Sequence, residues 1–395
     1  MRKKTMDSLE VRGKKVYVRV DYNVPLDADG VITDDTRIRA TLPTLRQLLD
    51  GGAALILASH MGRPKGKRVA EYSLAPAAKR LSQLLERPVR LAPDCIGEET
   101  KALAQALRPG EILMLENVRF HPEEEANDPE FAQELAALAD VAVNDAFGVS
   151  HRAHASVVGV ARVLPMAAGR LVAQEIHFLE DTVAEPKRPF VAIIGGAKVS
   201  DKIAVLERLV RIADTLIIGG GMANTFLLAR GMDVGTSLVE TDARDLALRV
   251  LRTAEAEGKQ VLLPSDVVTA DAFREDAEPH RHPATRIPAD EMVLDIGPET
   301  AETFAAAVLP AATVLWNGPM GVFEWASFAD GTKRVAEAVA ANEGISIVGG
   351  GDSVAAIESC GLADRVTHIS TGGGASLAYL EGKELPGIEC LAEED

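Results

Sequence analysis

Three glycine triplets stand in the second half of this 395-residue chain, each at the exit of a strand-like run: TLIIGGGMAN (215–224), ISIVGGGDSV (345–354) and HISTGGGASL (368–377). Glycine tolerates positive φ and lets a ligand approach backbone N–H groups, and a helix that follows offers its positive N-terminal end to phosphate. One such loop is as often only a tight turn, but three in one region point to a nucleotide-phosphate site. Neither G-x-x-x-x-G-K-[ST] nor G-x-G-x-x-G occurs, so the chain carries neither a P-loop nor the dinucleotide fingerprint. In GGGDS, Asp352 would repel a phosphate unless a divalent cation lies between them, which implies Mg²⁺; as a plain helix cap it would serve equally well. IIGGAKVSDKIAVLERL (193–209) supplies cations, with Lys198 and Lys202 spaced one helical turn apart on one face and suited to β- and γ-phosphate oxygens. VLWNGPMGVFEW (314–325) provides backbone and apolar atoms to wall a base, and Glu324 to accept from ribose hydroxyls.

The first half places polar residues where strands end. VRVDYNVP (18–25) leaves Asp21 and Asn23 at a strand exit, SHMGRPKGK (59–67) adds His60 and Arg63, and LENVRFHPEEE (115–125) adds Arg119. NDAFGVSHRAHAS (144–156) contributes His151, Arg152 and His154, and Arg37 lies in DDTRIRATLPTL. Arginine captures carboxylate and phosphate through two parallel N–H bonds. Any one of these arginines could be a surface ion pair; convergence from five segments reads as a pocket for a small, multiply anionic, hydroxylated metabolite.

Positioning such residues takes strands that end together. Short apolar runs alternate with amphipathic helical segments along almost the whole chain, the pattern of α/β units around buried parallel sheets. Strands are expected at 15–20, 54–59, 112–115 and 141–144, and then at 191–194, 216–218, 261–264, 293–296, 314–316, 346–348 and 368–370. Helices are expected at 129–139, where Asp128 can cap, and at 200–212. Residues 271–288 read as an irregular solvated loop; His280 and His282 within it lack further ligands nearby in sequence. The length predicts two domains, and the charged, proline-containing stretch 171–190 is the expected joint. The balance of 42 Lys and Arg against 59 Asp and Glu, net −17, argues against a nucleic-acid or acidic-membrane partner. Three scattered cysteines suggest neither disulfides nor zinc. The basic start lacks the apolar run of a signal peptide, so a soluble, cytoplasmic protein is expected.

Taken together, VRVDYNVP, SHMGRP, ENVRF, SHRAH, GGAKVSDK, GGGMANTF, WNGPMGVFE, GGGDS and STGGGASL resemble the phosphoglycerate kinase family, in the family's order from near residue 5 to the C-terminus. The resemblance implies reversible phosphoryl transfer between 1,3-bisphosphoglycerate and Mg-ADP, giving 3-phosphoglycerate and Mg-ATP. It implies two doubly wound, Rossmann-like α/β domains: 1–170 for 3-phosphoglycerate, a linking helix at 171–187, 188–375 for the Mg-nucleotide, and a tail, 376–395, returning to the first domain. Matched motif by motif, Asp21, Asn23, Arg37, His60, Arg63, Arg119 and Arg152 look like the acid site. Lys198, Lys202, Gly220, Asn317, Glu324, Gly350, Gly351, Asp352 and Ser353 look like the nucleotide site, with Asp352 toward the metal and Arg37 and Lys198 as the catalytic cations. A monomer is the family-based expectation. Tyr22 replaces a common Phe, Ser353 a common Thr, and Val293 stands where many members carry Gly. Two other functions compete: an NAD-dependent oxidoreductase, disfavoured by the missing fingerprint, and a nucleotide-binding protein without catalysis, disfavoured by the presence of Lys198, Arg37 and Asp352.

Overall fold

The computed structural model describes residues 3–394. The chain forms two compact units: one holds the residues up to His177 together with those from Glu384 on, and the other runs Phe178–Lys383.

In the first unit six strands, β1 (Lys15–Arg19), β2 (Ala54–Ala58), β3 (Val89–Leu91), β4 (Ile112–Met114), β5 (Val141–Asn144) and β6 (Met166–Ala168), form one sheet in the order β3-β4-β2-β1-β5-β6. Every pairing in it is parallel. The chain runs from β1 through β2 to the edge strand β3, returns to β4 between them, then crosses to β5 on the other side of β1. Strand order therefore reverses beside β1, the place where open α/β sheets hold ligands. Val16, Val18, Leu55, Leu57 and Val143 pack one face against Ile38, Leu45 and Leu48 of the helix Thr36–Asp50. The edge strands β3 and β6, each three residues long, are too short to show a periodicity in sequence.

The chain's last residues belong to this unit. Leu385, Ile388 and Leu391 are buried, Asn144 Nδ2 donates to the Gly387 carbonyl at 2.9 Å, and the Gly387 N–H donates to Ser150 O at 2.8 Å. The segment 374–380 stays with the second unit, where the helix Gly374–Leu380 packs against the helix Ile203–Ile212. The tail expected from 376 therefore divides, with the return beginning at Glu384. Between the units a helical segment runs from Arg170 through a π-type turn, His177–Asp181, to Ala184. The Asp145 carboxylate accepts from Leu171 N–H at 2.9 Å and so caps its start.

The second unit repeats the plan. Its six-stranded sheet has the order β15-β14-β13-β7-β8-β9. The strands are β7 (Phe190–Ile194), β8 (Thr215–Ile218), β9 (Gln260–Leu262), β13 (Thr313–Asn317), β14 (Ile345–Gly349) and β15 (His368–Ile369), again all parallel. Both faces are buried. Phe190, Ala192 and Ile194 enter one core with Val205, Leu209 and Phe226, while Val191 and Ile193 enter the other with Phe304, Val335 and Val339. That alternation on strands apolar throughout is what helices on both faces require. Strand order reverses between β7 and β13, so the glycine turns after these two strands lie side by side.

One expectation is corrected here. Residues 271–288 are not simply an irregular loop: β11 (His280–Pro283) joins β10 (Asp266–Ala270) and β12 (Met292–Ile296) in a separate antiparallel sheet of order β11-β10-β12. The strand expected at 293–296 belongs to this small sheet rather than to the parallel one. The sequence HRHP carries no apolar alternation because β11 is an edge strand that is half exposed.

Candidate active site

The arginines of the first unit gather at the carboxyl ends of β1, β2, β4 and β5. Asp21 follows β1 and is nearly buried; its Oδ2 accepts from Arg37 Nη1 at 3.0 Å, and Arg37 also donates to Asn23 O at 3.2 Å. Arg37 stands in the first turn of its helix and keeps 38% of its side chain exposed, so its guanidinium is oriented without being enclosed. Asn23 Oδ1 accepts from the Gly62 N–H at 2.8 Å, tying the β1 exit to the β2 exit. His60, buried, lies with Nδ1 3.3 Å from Arg19 Nη2 and 3.8 Å from Asp21 Oδ1. Burial first, then Arg19 and Arg119, hold its imidazole well below the usual range, so the ring is neutral at pH 7. Arg63 is exposed on the loop after β2.

Arg119 carries the clearest signal. It sits in the 3₁₀ turn Val118–Phe120 and is 4% exposed, and its side chain gives one hydrogen bond, from Nη1 to Gly62 O at 3.0 Å. Its Nε and Nη2 are buried without hydrogen-bond partners, and the Glu125 carboxylate stands 3.7 Å from Nε, too far for one. Burial, with Arg152 and Arg19 nearby, lowers its pKa to about 10. An unsatisfied buried guanidinium among like charges is costly unless an anion completes it. Arg152 is half-buried, with Nε 3.2 Å from His151 Nε2. His154, with a pKa lowered to about 4 chiefly by burial, is a neutral ring among these arginines.

Two residues of this cluster escaped the sequence reading. Arg19 is the penultimate layer: it is buried inside β1, donates from Nε to Ser156 Oγ at 2.8 Å and reaches His60. Glu124, fully buried, accepts from Ser156 N and Oγ at 2.8 and 2.5 Å. An arginine at the end of an apolar strand and a glutamate within PEEEA look like ordinary surface charges until the fold buries them. Tyr22 is also buried, and its hydroxyl lies 2.7 Å from Thr41 Oγ1, so the change from Phe costs no unpaired group.

In the second unit the glycine turns after β7, β8, β13 and β14 meet at one end of the sheet. Gly220 has φ +67°, and a Cβ on it would lie 2.6 Å from Gly196 O and 2.9 Å from Pro319 O, so three turns touch there through backbone alone. Lys202 Nζ donates to Gly195 O at 2.8 Å, to Asn317 O at 3.2 Å and to Asn317 Oδ1 at 2.7 Å. Burial lowers its pKa to about 8, against the pull of Asp352. Asn317 is buried, and its Nδ2 has no hydrogen-bond partner. Gly350, at φ +89°, is held so close that a Cβ would lie 3.0 Å from that amide. Gly351 opens the helix Gly351–Ser359, Asp352 is exposed in its first turn, and the buried Ser353 Oγ accepts from Gly318 N–H at 2.5 Å.

The expected pairing of Lys198 and Lys202 on one helical face is corrected. The α-helix begins only at Ile203, residues 200–202 form a 3₁₀ turn, and Lys202 turns inward while Lys198 stays exposed. Beside these loops opens a cleft of about 320 Å³, walled by Ala197, Gly221, Leu238, Pro319, Met320 and Val293 and edged by Glu324 and Asp352. Its walls are largely apolar, and residues of the 314–325 motif, Pro319 to Val322 and Glu324, line it. Asp295, at its edge, is a further residue the sequence did not single out. It is buried, accepts from Gly331 N and Ile296 N, and burial pushes its pKa up to about 8. Val293 narrows the cleft wall, and its N–H donates to Ser237 Oγ at 2.9 Å. The third triplet, 372–374, leads into the helix Gly374–Leu380 and does not line this cleft.

Comparison of the whole sequence and fold with known proteins points to one family. A family model described as phosphoglycerate kinase matches residues 6–383. Among curated relatives, phosphoglycerate kinase of Moorella thermoacetica is 59% identical over 395 residues and covers 100% of both chains. The cytosolic phosphoglycerate kinase of Triticum aestivum is 56% identical, covering 98% of each. The solved structure of phosphoglycerate kinase from Coxiella burnetii aligns with a TM-score of 0.90 at 41% identity over 98% of each chain, and that from Pyrococcus horikoshii OT3 with 0.83 at 34%. With an arginine cluster on one parallel sheet and a glycine-walled cleft on the other, and with similarity spanning both, the chain belongs to the phosphoglycerate kinase family.

Proposed function

We propose that this chain performs the family's reaction with the acid held by the first unit and the nucleotide by the second. The reaction is reversible transfer of a phosphoryl group from the acyl phosphate of 1,3-bisphosphoglycerate to ADP, as in glycolysis. The bond from phosphorus to the C1 carboxyl oxygen breaks as a bond to the terminal ADP oxygen forms, leaving 3-phosphoglycerate and ATP. The observation that carries the assignment of the acid is Arg119, a buried guanidinium with two nitrogens, Nε and Nη2, free to donate to an anion.

Arg119, Arg63 and Arg152 grip the phosphate at the far end of the acid, and Asp21 and Asn23 accept from or orient its hydroxyl and carboxyl groups. Arg37, held by Asp21 and still exposed, faces the reacting end. Neutral His60 adds a polar contact without adding positive charge. On the second unit Ala197, Gly220 and the loop from Asn317 to Glu324 receive the nucleoside, while Gly350, Gly351 and Ser353 present a helix N-terminus to its phosphates. Lys202 spends its donors on Gly195 and Asn317, so it holds two glycine turns together and supplies local positive charge. Lys198 remains to reach the transferring group. Phosphoryl transfer passes through a loose transition state with charge spread over three oxygens, so the work of Arg37 and Lys198 is to neutralise that charge in place.

The residues suit Mg²⁺: a single exposed carboxylate, Asp352, at the start of a phosphate-facing helix leaves most coordination positions to water and phosphate oxygens, as that ion prefers. Bound there with the nucleotide, Mg²⁺ would supply charge neutralisation to the phosphates. Direct transfer further requires the two units to close in the ternary complex, and the helical segment 170–184 is the place for that bend. The remaining attributes are a cytoplasmic location, which the relative named as cytosolic supports, and a monomeric state; no described helix is long and apolar enough to cross a membrane. Purified chain with Mg-ATP and 3-phosphoglycerate should release ADP, and omission of either the acid or the metal should stop it. ADP release that ignores 3-phosphoglycerate would overturn the reading.

A further inference from the structure

We propose that His280, His282 and Glu291 form a binding site for a Zn²⁺-type divalent cation in the small antiparallel sheet of the second unit. His280 and His282 are two residues apart on β11, so both side chains leave the same face of the strand. Glu291 immediately precedes β12, across the central strand β10. Its carboxylate is aimed at both rings: Oε1 lies 2.9 Å from His280 Nδ1 and Oε2 lies 3.1 Å from His282 Nε2. The Thr269 hydroxyl, on β10 opposite His280, donates to Oε2 and fixes the carboxylate from behind.

The three ligand atoms lie within 4.8 Å of one another. Around a tetrahedral Zn²⁺ with bonds near 2.0–2.1 Å, ligand atoms are separated by roughly 3.3 Å. One carboxylate oxygen stands at about that spacing from each ring, Oε1 from His280 and Oε2 from His282, and the remaining separations, all within 4.8 Å, close by rotation of the carboxylate and of rings carried on an edge strand. The cation takes the place of the ring hydrogens directed at Glu291, and each neutral ring keeps its proton on the other nitrogen. The side chains are 41%, 27% and 14% exposed, so the fourth position is open to water. Two imidazoles and a carboxylate favour Zn²⁺, Co²⁺, Ni²⁺ or Cu²⁺ over Mg²⁺, which separates this site chemically from Asp352. The other such cluster, Asp94, Cys95 and His121, is a poorer ligand set, because Cys95 is fully buried and burial pushes its thiol up. A cation at the proposed site would pin β11 to the segment entering β12, whose Met292 and Val293 line the nucleotide cleft.

The test is calorimetric titration of ZnCl₂ into metal-stripped, full-length chain with Mg²⁺ in excess, paired with the visible spectrum after Co²⁺ loading. One ion per chain, resistant to Mg²⁺, and the strong visible bands of four-coordinate Co²⁺ with nitrogen ligands are expected. The double variant His280→Ala, His282→Ala should weaken binding roughly tenfold or more while keeping phosphotransferase activity, and His121→Ala should leave binding unchanged. Equal binding by the double variant, or a wild-type Co²⁺ spectrum of plain octahedral aquo type, would overturn the site and leave the two rings as hydrogen-bond donors to Glu291. The spectrum reads the wild-type chain, so it decides even if the double variant fails to fold.

Discussion

At the scale of single residues, the charged groups of the two sites divide into those already satisfied and those still seeking a partner. Lys202 is engaged by three carbonyl-type oxygens, whereas Lys198 is exposed. Lys198→Ala should therefore leave the loops intact and lower kcat roughly a hundredfold or more, the usual loss for one preorganised charge-stabilising group; steady-state kinetics showing an unchanged kcat would remove it from catalysis. Arg152→Ala should raise KM for 3-phosphoglycerate and spare ADP affinity, and a defect confined to the nucleotide would place Arg152 on the other ligand. The pH dependence has a definite sign. Lys202, lowered to about 8, loses its positive charge as pH rises through that value, and Asp295, raised to about 8, gains a negative charge over the same range. Both changes disfavour an anion in the cleft. ADP affinity measured by titration calorimetry should thus fall from pH 7 to pH 9.5, with part of the slope removed by Asp295→Asn; a flat profile would contradict both assignments.

At the scale of elements, close approach of turns decides which glycines are indispensable. Gly220 combines φ +67° with contacts that a Cβ would make to the Gly196 backbone, and backbone cannot swing aside as a long side chain would. Gly361 has nearly the same φ, +66°, with open space around it. Left-handed strain alone costs a non-glycine residue about 1–2 kcal/mol, and overpacking adds about 1–3 kcal/mol. Gly220→Ala should accordingly lose roughly 2–5 kcal/mol and displace the β7 and β13 turns, while Gly361→Ala should lose only about 1–2 kcal/mol. Paired denaturant melts check this, and equal losses would show that backbone strain, not turn packing, sets the requirement. The helical register of the 198–212 segment was misjudged from sequence for a related reason. Its apolar spacing is helical from Ile203 on, but the three acceptors offered by Gly195 and Asn317 draw Lys202 inward and leave a 3₁₀ turn before the helix.

At the scale of the whole molecule, the last residues stabilise the first unit. Leu385, Ile388 and Leu391 are each at most 5% exposed, and at about 1.5–3 kcal/mol per buried side chain they contribute about 5–9 kcal/mol as an upper bound. That is comparable to the entire stability of a typical domain. Ending the chain at Lys383 should therefore remove the calorimetric transition of the first unit, abolish binding of the acid, and leave nucleotide binding in place. A truncated chain that melts like the full one would show the tail to be dispensable.

Much of this protein was determined by local sequence. Strands apolar on every position, such as FVAII and ALILA, must be covered on both faces, and that alone requires parallel α/β sheets with helices on both sides. Glycine runs and arginines at strand exits then place both sites at sheet ends, since residues that follow a strand emerge at its carboxyl end. What the tertiary structure decided is which charges lose their water. Arg19, Glu124, Asp295 and Arg119 are written in the same letters as surface residues, and only long-range packing buries them, raises the pKa of Glu124 and Asp295, lowers that of Arg119 and leaves two Arg119 nitrogens without a partner. The same holds for His280, His282 and Glu291: 9 and 11 residues separate the glutamate from the two rings, and the antiparallel pairing of β10 with β11 and β12 is what brings them to one point. Desolvation and convergence are properties of the folded chain, because both depend on neighbours distant in sequence.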